Sequence, residues 1–395
     1  MKNYHFDGSI SLDVLKNYLN RAMTYGITPY GFEGGVPMES EETENEFLRA
    51  ITNVGAKYIC RSAGEWNVDD KVVKNYPVLA NFIEKAHKAD PDIVFEACIF
   101  ETCGPDSEKR KIPAHVFEAF GLPFEDRGFC HEKMAFADGK YRNQWGENKH
   151  APDVTNLETQ MYYYYLATTY IDLGFEGLHM GQAAMTGRDD TDFRCWEKLL
   201  KMIRAYAKEH ARRHYVIINA HIPTYSWMTP EGVSLGDFCA SPIRIEWADG
   251  EEDHAVSEDN PQRCEIKFNY CASPYKSNGG GISPSGWKTD KYPYLVEFDN
   301  WGGRTGDNTK RWNRFGYDEI SWFANQPDWY RRQWLEETTL LIDSFEENGF
   351  VAMPGRRCAY SQRHGKMVNY VMNSSKTFGD SWDDEETIKK IFERN

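Results

Sequence analysis

The chain has 395 residues, 41% hydrophobic and 14% aromatic, enough for one large domain or two ordinary ones with a substantial core. A net charge of -15 argues against nucleic acid or an anionic membrane as the main partner, and mildly against a strongly anionic polymer as substrate unless a local basic pocket overrides it. Nine scattered cysteines with no C-x-x-C, several of them in apolar strand-like runs (Cys60, Cys98, Cys239), fit free buried thiols in a reducing compartment, so a cytoplasmic location is expected. The first residues lack a basic-then-apolar leader pattern, and no run of about 18 apolar residues exists, so no membrane span is expected.

The elements alternate. Ser11 opens a capped amphipathic helix over 11–26, and 27–35 reads as a first strand. A helix over 40–55 carries acidic residues in its first turn, which suits the helix dipole. A second strand (56–66), a helix (72–88) and a third strand (92–104) follow. A polar and aromatic insertion covers 105–153. The helix 155–173 contains four consecutive tyrosines, Tyr162 to Tyr165, and is buried on most sides. Then come a fourth strand (175–182), a helix (192–213), a fifth strand (214–223) and a sixth (237–247). A second insertion, 248–291, precedes a seventh strand over 294–298. A helix over 318–348 is broken near Pro327, an eighth strand covers 350–356, and a last helix covers 384–394. Eight strands alternating with helices predict a single α/β domain, a (β/α)8 TIM barrel with two long loop insertions. Neither G-x-G-x-x-G after the first strand nor G-x-x-x-x-G-K-[ST] occurs, so a doubly wound nucleotide-binding sheet gains no support.

In such a barrel the site lies at the carboxyl ends of the strands. Those ends carry Glu33, Arg61 and Glu65, Glu101, His179 and Gln182, Asn219 and His221, Arg244 and Glu246, Glu297 and Asp299, then Arg356 and Arg357. Alternate strand residues share a face, so Arg61 goes with Glu65, Asn219 with His221, Arg244 with Glu246 and Glu297 with Asp299. Glu176 falls at the start of the fourth strand, on the opposite, stability face; Glu96, mid-strand, reads either as a buried paired carboxylate or as a sign that the third strand is misframed. Carboxylates dominate the rim. No G-x-S-x-G elbow, H-x-H or H-E-x-x-H is present, the cysteines read as structural, and no cofactor or metal is expected. Carboxylate pairs beside Trp66, Trp247 and Trp301 are what glycoside hydrolysis requires. One acid protonates the leaving oxygen and a second carboxylate attacks the anomeric carbon or activates water.

On this pattern the chain resembles the TIM-barrel glycoside hydrolases, over nearly its whole length and at the level of architecture and strand-end acids. In the best-known clan of that class the acid/base is a Glu preceded by Asn after strand four, and the nucleophile is a Glu ending strand seven. Here strand seven ends in Glu297, but strand four offers His179-Met180-Gly181-Gln182 and no Asn-Glu pair. The resemblance therefore implies Glu297 as nucleophile or base and leaves the acid to Glu246, with Glu101 second. Arg244, two residues before Glu246, would lower its pKa, and contact between them would swap the two roles. Asp299, His179, His221, Asn219 and Gln182 would bind sugar hydroxyls.

Two rivals share the barrel. One is a metal-dependent sugar isomerase or epimerase, with Glu101, His179, His221, Glu246 and Asp299 around Mg²⁺ or Mn²⁺. The other is a glycan-binding barrel without catalysis. A carbohydrate is the expected partner in every case, and the oligomeric state is left open.

Overall fold

The computed structural model describes residues 2–28, 40–64, 70–222, 227–252, 254–267, 279–300 and 316–394. In chain order the strands are β1 (Ala22–Tyr25), β2 (Tyr58–Ala63), β3 (Val94–Cys98), β4 (Gly177–His179), β5 (Ile217–His221), β6 (Phe238–Pro242), β7 (Ile245–Trp247), β8 (Cys264–Ile266), β9 (Gly281–Ile282), β10 (Lys288–Thr289), β11 (Tyr294–Glu297), β12 (Gly349–Val351), β13 (Met353–Ser361) and β14 (Lys366–Val371). Ten of them form one sheet in the order β12-β11-β6-β5-β4-β3-β2-β1-β13-β14. Every neighbouring pair is parallel except β13 with β14.

The sheet is curled. Val351 lies opposite Val296, and Met353, two residues later, lies opposite Met23. Between them the Ala352 N–H donates to the Val296 carbonyl at 2.8 Å. One continuous run of chain therefore serves both flanks of the β1-to-β11 series.

Parallel strands covered on both faces should be apolar on both, and the burial follows that rule. Ile59, Phe95, Leu178, Ile218, Cys239 and Val296 pack with the helices in the larger core. Tyr58, Cys60, Val94, Ile217, Phe238, Ala240, Leu295 and Phe350 face the other way, into a second core. That inner core is completed by Tyr4, Phe6, Ile10 and by Val14, Leu15, Tyr18 and Leu19 of the helix Leu12–Leu19. The N-terminal segment thus closes one end of the strand assembly.

Ser11 caps its helix as expected, its side chain accepting from the Val14 N–H at 3.3 Å. That helix stops at Leu19, however, and a strand lies earlier than expected, at Ala22–Tyr25; of the expected strand over 27–35 only residues 27 and 28 are described, neither of them in a strand, and the rest lies outside the described residues. All four strand residues are buried, and the Lys57 N–H reaches the Arg21 carbonyl at 2.9 Å to start the ladder with β2. The apolar spacing of Leu19, Ala22 and Met23 fits helix and strand alike, so periodicity alone does not place this boundary. The sixth strand is also shorter than expected. It ends at Pro242, whose ring nitrogen donates no hydrogen bond, and Ile245–Trp247 forms an antiparallel hairpin with β8 instead. The eighth continues past Arg356 to Ser361 because β14 folds back along it. The helical stretch at 318–348 is two helices, Glu319–Ala324 and Asp328–Phe345, divided at Pro327 as expected. Among the described residues no helix is long and apolar enough to cross a membrane.

Candidate active site

Above the inner apolar core, the same strand faces turn polar. Glu96 of β3, fully buried, accepts from the Tyr58 hydroxyl at 2.7 Å and from the Asn219 side-chain amide. The carbonyl oxygen of Asn219 faces His179 Nδ1 at 2.7 Å, so that nitrogen carries the proton. Burial, with Arg61 and His221 nearby, pushes His179 well below its ordinary pKa, and the ring is neutral. Burial raises the Glu96 carboxyl against the pull of Arg61. This layer needs Gly177: a Cβ there would stand 2.8 Å from the Tyr58 hydroxyl and 3.0 Å from Glu96 Cβ. Glu96 is thus the buried, paired carboxylate its mid-strand position implied.

One step further along the strands, five charged or titratable side chains meet. Arg61 Nε lies 2.9 and 3.1 Å from the two oxygens of Glu297, and its Nη2 also contacts Oε1. His221 Nε2 is 2.9 Å from Oε1. Arg357 Nη2 is 3.7 Å from Oε2 and 3.3 Å from Asp299 Oδ1. Burial alone would raise the Glu297 carboxyl, but Arg61, His221 and Arg357 outweigh it and hold it well below the usual range. Arg61 reaches this place through an unusual backbone, a φ of 53° in mid-strand. For a non-glycine residue that conformation costs on the order of 1–3 kcal/mol.

The energetics point to function. Two charges near 4 Å attract by about 4 kcal/mol at an effective dielectric of 20. Withdrawing each from water costs several kcal/mol. With side chains only 6% and 4% exposed, the Arg61–Glu297 pair at best breaks even. A buried pair with little net stabilising value, set at strand ends, is a functional-site candidate.

Glu101 lies beyond the end of β3. It accepts from the backbone N–H of Gln182 at 3.0 Å and from its side-chain amide at 2.7 Å, while the Trp145 indole donates to its carbonyl at 2.7 Å. Gly181 (φ 58°) makes room: a Cβ there would fall 2.2 Å from Glu101 Oε2.

The remaining candidates make other contacts. Arg244 is buried just after β6, its carbonyl accepting from the Lys267 N–H at 2.7 Å. Glu246 and Trp247 sit part-exposed on the β7–β8 hairpin, with Glu246 2.9 Å from Lys267 Nζ. Arg356 turns away from the cluster: its Nη1 donates to the Gly26 carbonyl and its guanidinium lies 5.0 Å over Phe47, where burial lowers its pKa to about 10. Its neighbour Arg357 is the one that reaches Glu297. Glu33, Glu65, Trp66 and Trp301 lie outside the described residues. Glu176 pairs with Arg212 at 2.6 Å at the opening of β4, on the other side from the cluster.

The described strand cysteines are poor nucleophiles. Burial raises Cys98 and Cys239 to about 12 each and Cys60 well above its usual value. Among the described residues, ligand atoms close enough for a metal gather at His131, Glu132 and His150 in the first insertion, not at the five rim residues named above. Hydrogen bonds already satisfy that group. The Asn143 N–H donates to His150 Nδ1 at 3.1 Å, so His150 Nε2 holds its proton toward Glu132. His131 Nδ1 pairs with Glu108 at 2.7 Å, and Arg142 with Glu132 at 2.8 Å.

The pair has a pH signature. A carboxyl whose folded value lies below its unfolded one stabilises fully above the unfolded value, and that stabilisation fades as pH falls through the folded value. The difference in unfolding free energy between wild type and Glu297→Gln should therefore shrink as pH drops below about 4.3. Denaturant titrations across that range test this. A difference that stays constant with pH would show that Glu297 is not held ionised.

No family model matches the chain, and no curated protein matches it either. Solved structures that it resembles include a debranching enzyme from Nostoc punctiforme, 12% identical with a TM-score of 0.34 over 57% of this chain and 52% of that one. A GH27 β-L-arabinopyranosidase from Geobacillus stearothermophilus is 11% identical with a TM-score of 0.34 over 58% and 56%. The type III pullulan hydrolase from Thermococcus kodakarensis is 13% identical with a TM-score of 0.45 over 96% and 70%. These are glycoside hydrolases; the chain spans little more than half the length of the first two. The likenesses are slight, and the chemistry has to be read from the residues.

Proposed function

We propose that the chain is a (β/α)8 barrel, with Gly349–Ser361 as its eighth strand, and that its rim hydrolyses a glycosidic bond. Glu297 is the ionised carboxylate that attacks the anomeric carbon or activates water. The leaving oxygen takes its proton from Glu101 or Glu246. Of these, Glu101 is the buried one, whereas Glu246 stands part-exposed beside Lys267, a cation that favours its charged form. His221 and Asp299, part-exposed at the mouth, together with Gln182, would contact sugar hydroxyls; His179 and Asn219 support them from below. Part-exposed Trp145 and Trp247 offer apolar faces for the ring.

The observation that carries this reading is the clamped Glu297: a carboxylate kept charged in a buried site by Arg61 suits a nucleophile or base and not a proton donor. The strand-end acids and the raised thiol pKa values favour carboxylate over thiol chemistry.

Aryl and alkyl glycosides of matched sugars test it. A proton donor matters most for poor leaving groups, so Glu101→Gln should slow alkyl glycosides by on the order of 10²–10⁴ and activated aryl glycosides far less. Glu246→Gln should change both little. If the wild type releases no aglycone from a broad aryl glycoside panel, the hydrolase reading fails. If Glu246→Gln shows the leaving-group split instead, the donor is Glu246.

A further inference from the structure

We propose that Glu96 is the positioning residue of the site: by accepting the backbone N–H of Arg61 it fixes the left-handed turn in β2 that aims the Arg61 guanidinium across the barrel at Glu297. The inference builds on Glu297 as the working carboxylate, but its geometry can be tested without any substrate.

Simple alternation along β2 would send Arg61 the wrong way. Tyr58 and Cys60 face the inner core and Ile59 faces the helices, so residue 61 of a regular strand would follow Ile59. The register breaks at this point. Ile59 pairs with Phe95 and Ala63 with Ala97, leaving three residues of β2 opposite Glu96 alone. That bulge carries the positive φ of Arg61, and bulges re-aim side chains in this manner. Glu96 grips it twice: its Oε1 accepts the Arg61 N–H at 3.2 Å and its carbonyl accepts the Ser62 hydroxyl at 2.7 Å. The carboxylate cannot swing away, because Tyr58 and Asn219 hold its other oxygen and His179 holds Asn219. A Glu96 serving only to satisfy Tyr58 and Asn219 would need no bond to Arg61.

The test is a carboxyl ¹³C NMR titration of Glu297 in the whole protein, its resonance assigned with Glu297→Gln. In Glu96→Gln the amide can no longer accept from all three donors, the turn loosens, and Glu297 should titrate nearer the ordinary carboxylate value. Tyr58→Phe keeps the bond to Arg61 and should leave Glu297 where it is in wild type. On any substrate that is turned over, Glu96→Gln should lower kcat with little change in KM. A folded Glu96→Gln protein whose Glu297 titrates as in wild type overturns the proposal, whatever the outcome of the glycoside assays. Should that variant not fold, wild type alone decides. The Arg61 amide resonance should then move with the titration of Glu96, and an amide that does not follow it overturns the proposal equally.

Discussion

Glu297→Gln is expected to lower turnover by on the order of 10²–10⁴ and to destabilise the fold by about 3–5 kcal/mol. Both effects come from the same contact. The amide neither attacks nor abstracts a proton, and it leaves Arg61, 6% exposed, with no full counter-charge. A paired substitution separates the two effects. Arg61→Met combined with Glu297→Leu removes both charges and fills the space with apolar groups. Such replacements of buried pairs are often neutral, or stabilising by about 1–4 kcal/mol. The double variant should therefore recover stability in urea and remain inactive. That outcome would mean the pair is retained for chemistry at no benefit to folding. A double variant as unstable as Glu297→Gln would mean instead that the pair is structural.

Asp384→Asn should also cost about 3–5 kcal/mol, but with the opposite functional outcome. Asp384 is fully buried and bound to Arg331 at 2.9 and 3.2 Å and to the Tyr370 hydroxyl at 2.8 Å. Arg331 in turn donates to the carbonyls of Gln326 and Trp382 at 2.7 and 2.8 Å. This network fastens the start of the helix Glu385–Arg394 to the helix Asp328–Phe345. Neither partner touches Glu297, Glu101, His179 or His221. Thermal and urea unfolding should register the loss, whereas kcat per folded molecule should stay near wild type. A fall in kcat at full folding would tie this network to the rim.

Much of the site was legible because period-two alternation is strict where a strand is regular. Glu297 with Asp299, and Asn219 with His221, share faces as read from the sequence, and the apolar residues between them face the helices. Legibility was weakest where the backbone departs from regularity. Arg61 points inward only because of a bulge that no residue in 58–63 announces; an inward reading from alternation alone would be right for the wrong reason. Along β13 the choice between Arg356 and Arg357 turns on a single residue of register. That register is set by pairing with β1, a strand that itself lies upstream of where composition placed it. Pro242 was the available signal that β6 ends before Arg244, Glu246 and Trp247. The role of Glu96 as the hub beneath the site depends on four strands converging, which one strand's sequence cannot reveal.

The seam of the curled sheet has a consequence for biosynthesis. Thr24 and Met353 touch across 329 residues of sequence, and the run Gly349–Ser361 is what covers the flanks of β1 and β11. A nascent chain emerging from the ribosome must therefore leave the flank of β1 open until the run Gly349–Ser361 has been made, 329 residues after Thr24 in the case of Met353, and open flanks recruit other chains. Closure on this scale of sequence separation is slow.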